Sequence, residues 1–142
     1  MSGTVVHGIV QTGTYTITNI ATTGYATLAD GNSGSSLTQS TDGGNDDVKW
    51  TVNKLSNGNY NVMGYVYPNY ASVSSSPRKG DTVKARSSAY QWLIKETNTK
   101  SQYLISPIDD DSLYWGLSGS SATDVKLTDD GASVWQFTRI SD

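Results

Sequence analysis

Lys49-Trp50-Thr51-Val52 is the stretch that decides the fold, because its Trp-x-aliphatic pattern returns as Trp92-Leu93-Ile94 and, with phenylalanine closing, as Trp135-Gln136-Phe137. The tryptophans follow one another at steps of 42 and 43 residues. A second marker keeps the same beat: Gly13-Thr14-Tyr15-Thr16-Ile17, Gly58-Asn59-Tyr60-Asn61-Val62 and Ser101-Gln102-Tyr103-Leu104-Ile105. A tyrosine opening and a tryptophan closing at a near-constant period are the mark of an internal repeat. Side chains alternate along a strand, so each Trp shares a face with the apolar residue two positions later. Trp50, Trp92 and Trp135 are therefore expected at equivalent core positions, and Tyr15, Tyr60 and Tyr103 as packing residues beside them.

Outward from these markers, each repeat reads as four short strands. The first repeat, about 13–55, has strands at Tyr15–Thr18, Tyr25–Leu28, Ser36–Gln39 and Val48–Val52, with a turn at Asp30-Gly31-Asn32-Ser33-Gly34 and polar loop over Thr41–Asp47. The second, about 56–96, opens on an Asn57-Gly58 hairpin turn. Its strands are Tyr60–Met63, Tyr70–Val73, Thr82–Ala85 and Gln91–Ile94. The third, about 97–141, has strands at Tyr103–Ile105, Leu113–Leu117, Val125–Leu127 and Val134–Phe137. Three four-stranded units make twelve short strands, an all-β chain in a single domain over 1–142. An open sheet of that kind leaves long edges exposed, whereas a barrel capped by hairpins, the β-trefoil, closes them. A propeller takes four or more blades, which three repeats do not supply. Met1 to Thr12 carries Val5, Val6, Ile9 and Val10 and reads as a lead-in strand or a loose arm.

Composition agrees and narrows the function. Only 16% of the residues are charged and 35% hydrophobic, and Gly, Ser, Thr and Asn fill the remainder, a mix that suits strands and turns. A net charge of −3 without a basic run argues against nucleic acid and anionic membranes as partners. The absence of cysteine excludes disulfides and thiolate metal sites. No signal peptide or membrane-spanning run is visible, so a cytoplasmic protein without membrane insertion is expected. A single histidine, His7 in the terminal arm, leaves Ser–His and Cys–His catalysis without a base. Asp109-Asp110-Asp111 reads as a solvated turn, since adjacent carboxylates point apart and the spacing is not that of a calcium loop. There is no P-loop and no dinucleotide fingerprint. The expectation is a binding protein with no enzymatic activity, no metal and no cofactor.

Three local segments resemble the mushroom β-trefoil family, which includes ricin-B-like fungal lectins and the protease inhibitors clitocypin, macrocypin and cospin. Ser112-Leu113-Tyr114-Trp115-Gly116-Leu117, with Val125-Lys126-Leu127 and Val134-Trp135-Gln136-Phe137, is similar to the last repeat of the Coprinopsis lectin for fucosylated chitobiose. Ser88-Ala89-Tyr90-Gln91-Trp92 resembles the sugar-contacting Tyr-x-Trp segment of that lectin, and Gly24-Tyr25-Ala26-Thr27-Leu28 the second strand of clitocypin. The Gln-x-Trp triplet of the ricin B chain is missing, because Val48, Tyr90 and Ser133 hold the Gln position.

The resemblance implies one of two functions. The first is a lectin for neutral glycans or glycoproteins, with fucosylated or N-acetylglucosamine-containing ligands. A sugar site needs an aromatic ring for the apolar sugar face and a few groups that fix orientation. Tyr90 and Trp92 form one candidate platform, with Tyr70 opposite and Arg86 and Ser88 at the rim. Trp115 lies outside the three-fold pattern and with Tyr114 makes a second candidate. For Trp92 and Trp115, core packing is the competing assignment. The second function is inhibition of serine or cysteine proteases through an exposed loop. Asn32 stands where cospin carries its trypsin-inhibiting asparagine, and Asn69 where clitocypin carries the one that blocks asparaginyl endopeptidase. Arg78 and Lys79 offer a trypsin-readable pair.

Overall fold

The computed structural model describes residues 3–117 and 124–140. The outer limits of the expected domain and the end of its third repeat, at Met1, Ser2, Ser141 and Asp142, lie outside the described residues. A short strand β1 (Gly3–Val5) comes first. Three sets of four follow: β2 (Gly13–Asn19), β3 (Tyr25–Thr27), β4 (Thr38–Ser40) and β5 (Lys49–Lys54); β6 (Tyr60–Gly64), β7 (Tyr70–Ser72), β8 (Lys84–Arg86) and β9 (Trp92–Glu96); β10 (Tyr103–Pro107), β11 (Tyr114–Gly116), β12 (Lys126–Thr128) and β13 (Trp135–Ile140). The first and last strands of each set pair around a closed ring, β2-β5-β6-β9-β10-β13 and back to β2. The middle strands form three hairpins, β3–β4, β7–β8 and β11–β12. This is the β-trefoil that the repeat predicts. It adds one strand, because β1 pairs antiparallel with β13 and turns the terminal segment into part of the sheet. The expected polar loop before Trp50 ends in a 3-10 turn at Asp46–Val48.

The hairpins are joined by a ring of main-chain hydrogen bonds. Leu37 N–H donates to the Val83 carbonyl, Val83 N–H to Val125, and Val125 N–H back to Leu37, each at 2.9 Å. The three residues are fully buried. Buried backbone groups need partners, and this ring supplies them where three chain segments meet on the pseudo-three-fold axis.

The tryptophans stitch the barrel to the hairpins. Trp50, Trp92 and Trp135 are 0% exposed. Their indole N–H groups donate to the carbonyls of Ala26 (2.9 Å), Ala71 (2.9 Å) and Trp115 (3.0 Å), each the middle residue of the second strand in its repeat. Trp115 thus occupies the place that alanine holds in the other two repeats. Its ring fills the core between Trp92 (5.4 Å) and Trp135 (5.9 Å), edge to face with both. That geometry suits the aromatic quadrupole, although its own indole nitrogen is buried without a partner.

The opposite end of the barrel is closed by tyrosines. Tyr15, Tyr60 and Tyr103 are buried, and their hydroxyls donate to three carbonyls of one short segment: Gln11, Val10 (2.7 Å) and Gly8 (2.6 Å). The arm from Gly8 to Gln11 is therefore a plug whose carbonyls are read by one tyrosine from each repeat. Burial pushes the three phenols above their ordinary value, Tyr103 to about 12 with the Glu96 carboxylate adding to the effect.

Replacing Trp50 or Trp135 by Ala removes a fully buried indole and one buried hydrogen bond, so a loss of about 3–5 kcal/mol is expected in chemical denaturation. A loss below about 1 kcal/mol would remove the residue from the core. The tyrosines predict alkaline sensitivity. An unfolded phenol loses its proton near 10, while folded Tyr103 keeps its proton to about 12. Its contribution is therefore intact below the unfolded value and is lost as pH rises through this window. Denaturation midpoints should fall across the window, and less steeply in Tyr103→Phe; equal slopes would contradict the assignment.

Candidate functional site

The structure corrects two of the expected aromatic platforms. Trp92 and Trp115 are wholly buried and offer no face to a ligand. In β11 the alternation of the strand sends Trp115 inward and leaves its neighbour Tyr114 partly exposed. Tyr90 precedes β9 and is half-buried, packed edge-on against Trp92 with ring centroids 5.0 Å apart. Its hydroxyl donates to Asp109 Oδ2 at 2.8 Å, across to the loop after β10. Burial, then this hydrogen bond, pushes the phenol well above its ordinary value. Tyr90 is thus a fastening between the second and third repeats with one edge in solvent. Among the described residues no ring contact joins it to Tyr70. Instead, Tyr70 faces Arg86 directly across the β7–β8 ladder. Ser88 lies exposed just beyond that strand.

These positions belong to a second three-fold set that sequence reasoning passed over. Tyr25, Tyr70 and Tyr114 each open the second strand of their repeat, and all three are partly exposed. The signal was available: they follow Tyr15, Tyr60 and Tyr103 by ten, ten and eleven residues. Across each hairpin they face Ser40, Arg86 and Thr128. The loops that follow differ. Asp42-Gly43-Gly44 and Asp130-Gly131 are turns in which the aspartate carboxylate accepts a main-chain N–H two residues on, and the middle repeat has Ser88-Ala89 instead. Gly43 is required by close approach, since a Cβ there would lie 2.4 Å from the Tyr25 ring. That contact covers part of Tyr25, whereas a Cβ at Gly131 would still lie 4.0 Å from Tyr114.

Tyr114 lines a recess of about 170 Å³ on the outer face of β9 and β10. Leu93 and Leu104 supply apolar wall; Asp111, Lys95 and Ser106 supply hydrogen-bonding groups. An aromatic ring, two aliphatic side chains and a convergent carboxylate, ammonium and hydroxyl can hold one face of a pyranose and grip its hydroxyls.

The loops considered for protease inhibition are arranged differently from one another. Asn69 is partly buried, and its side-chain amide donates to the Gly31 carbonyl at 3.1 Å, so it ties two loops together. Asn32 is exposed on a turn held by Asp30, whose carboxylate accepts the Asn32 N–H at 2.9 Å. Lys79 pairs with Asp129 at 3.3 Å across the surface, while Arg78 is exposed beside it.

No family model and no curated protein sequence matches the chain. Solved structures do. An agglutinin from Rhizoctonia solani superposes with a TM-score of 0.84 at 18% identity, over 92% of this chain and 97% of that one. A ricin B-like lectin from Macrolepiota procera, solved in complex with lactose, gives 0.79 at 20% identity, over 94% of this chain and 99% of that one. A designed three-fold symmetric protein, ThreeFoil, gives 0.79 at 15% identity over 90% of this chain and 99% of its own. The likeness runs through the whole domain, and by it the chain is a β-trefoil.

Proposed function

We propose that this chain is a carbohydrate-binding protein for neutral oligosaccharides that carry fucose or N-acetylglucosamine, without catalytic activity of its own. The observation that carries the reading is the Tyr114 recess, where a partly exposed aromatic ring and three hydrogen-bonding side chains border a space suited to a single sugar ring. Tyr70, with Arg86 across the ladder and Ser88 beyond it, is the second site, and Tyr90 bounds its repeat. The fold adds support, because a lectin of the same architecture was solved with lactose, itself a neutral sugar.

Tyr114→Ala is expected to weaken glycan binding by about 1–3 kcal/mol, as loss of an aromatic anchor does, with much less effect on stability, since the ring is partly in water. Titration calorimetry against a fucosylated chitobiose-type oligosaccharide, beside Tyr70→Ala and Tyr90→Ala, apportions the sites. Unchanged affinity in Tyr114→Ala and Tyr70→Ala would remove both platforms. A wild-type protein silent on a broad glycan array would end the carbohydrate reading, and the exposed Asn32 turn would then be tried against trypsin.

A further inference from the structure

Three of the ten lysine and arginine side chains of this net-negative protein line one groove. The groove, about 270 Å³, runs along the β7–β8 hairpin. Tyr70 and Ser72 face Arg86 and Lys84 in the ladder, and the residues between, Ala71 and Ala85, are fully buried. Strand alternation therefore sets Lys84 and Arg86 side by side on the outer face. Arg78 joins them from the loop that connects the two strands. Among the described residues none of these three cationic heads has an ion-pair partner, whereas Lys49 is paired with Asp46 and Lys79 with Asp129.

Within the groove wall the acids offset this charge only in part. Asp81 is the one carboxylate in the groove wall, and its Oδ2 accepts the main-chain N–H of Arg78 at 2.9 Å. Asp109 and Asp110 line an adjoining depression that Arg78 also borders, so they face one of the three cations from outside the groove. Asp109 accepts the Tyr90 hydroxyl and Asp110 the Ser112 N–H. The groove wall holds three cations against one anion, and an excess of one sign of charge in a cleft concentrates counter-ions. Exposed Ser74 and Ser76 bring hydroxyl donors to its edge, while Ser72 Oγ turns to the Val73 carbonyl. Two guanidinium forks and an ammonium are the donor set that an oxyanion takes.

We propose that this groove is an oxyanion site for the sulfate ester or carboxylate of an acidic saccharide. The saccharide part rests on the carbohydrate-binding reading and widens it from neutral to acidic sugars: a sugar ring on Tyr70 would set an acidic substituent against Arg86, the residue directly across the ladder. The anion part rests on the groove alone.

The test is an amide-resolved NMR titration at low salt with four probes: an N-acetylglucosamine oligosaccharide, its 6-O-sulfated form, a uronate-containing form, and sodium sulfate. The proposal expects an acidic form to bind at least about 10-fold more tightly than the neutral one, about 1.4 kcal/mol. The shifts should centre on residues 72–78 and 81–86, and the advantage should shrink as salt is raised. Which acidic form gains separates sulfate from carboxylate. The double variant Lys84→Gln/Arg78→Gln should lose the advantage and keep its affinity for the neutral sugar, with an unchanged spectrum away from the groove. Equal affinity for acidic and neutral forms, or shifts elsewhere, overturns the oxyanion site and leaves the carbohydrate reading standing. Sulfate shifts in the groove with no saccharide binding do the reverse.

Discussion

The structure depends on one hydrogen bond made three times, from an indole N–H on the last strand of a repeat to the main chain of its second strand. The last strand belongs to the barrel and the second to a hairpin, so each tryptophan fixes a cap to the wall beneath it. A buried carbonyl in the middle of a three-residue strand has few alternatives, and leaving it unmet costs about as much as a lost hydrogen bond. Tryptophan meets the need and fills the space with the same side chain. This double duty explains why the residue returns at a fixed beat while the loops between drift in length and composition.

Much of this was legible because it is periodic. Trp50, Trp92 and Trp135 gave the repeat number, and Tyr15, Tyr60 and Tyr103 its phase; all six are buried where the pattern predicts. The strand readings fail mainly in the third strands, where Thr38–Ser40 and Lys84–Arg86 begin two residues later than the apolar pattern suggests. There the main chain of Leu37 and Val83 is used by the axial ring, so an apolar residue marks a junction and not a ladder. The candidate site was harder to read. Trp115 breaks the tryptophan beat and so looks functional, yet it is the core filler at the position where the other two repeats carry alanine. Tyr114 beside it carries the exposure. One-residue alternation, set by which neighbour faces the axis, separates the two, and composition holds no trace of it.

Symmetry and function part company at the surface. The core repeats closely, but of the three equivalent tyrosines one is crowded by Gly43, one faces Arg86 and one opens onto the Tyr114 recess. A three-fold scaffold offers three copies of one position, and differences in the adjoining loops make each a different chemical environment. The charge in the middle repeat arises the same way: Arg86 stands where the other hairpins have Ser40 and Thr128. A side chain substituted on the outer face of a hairpin leaves the barrel untouched, so such positions can change without loss of the fold.

The terminal plug sets the order in which the molecule can be finished. β1 pairs only with β13, Gly3 opposite Ile140 and Val5 opposite Thr138, and β2 also closes on β13. β1 therefore has no place in the sheet until β13 has formed. Closure joins the two most distant parts of the chain, and such pairings are slow because the loop must close before any contact rewards it. A ring has no edge to start from, and this one is complete only when β2 meets β13.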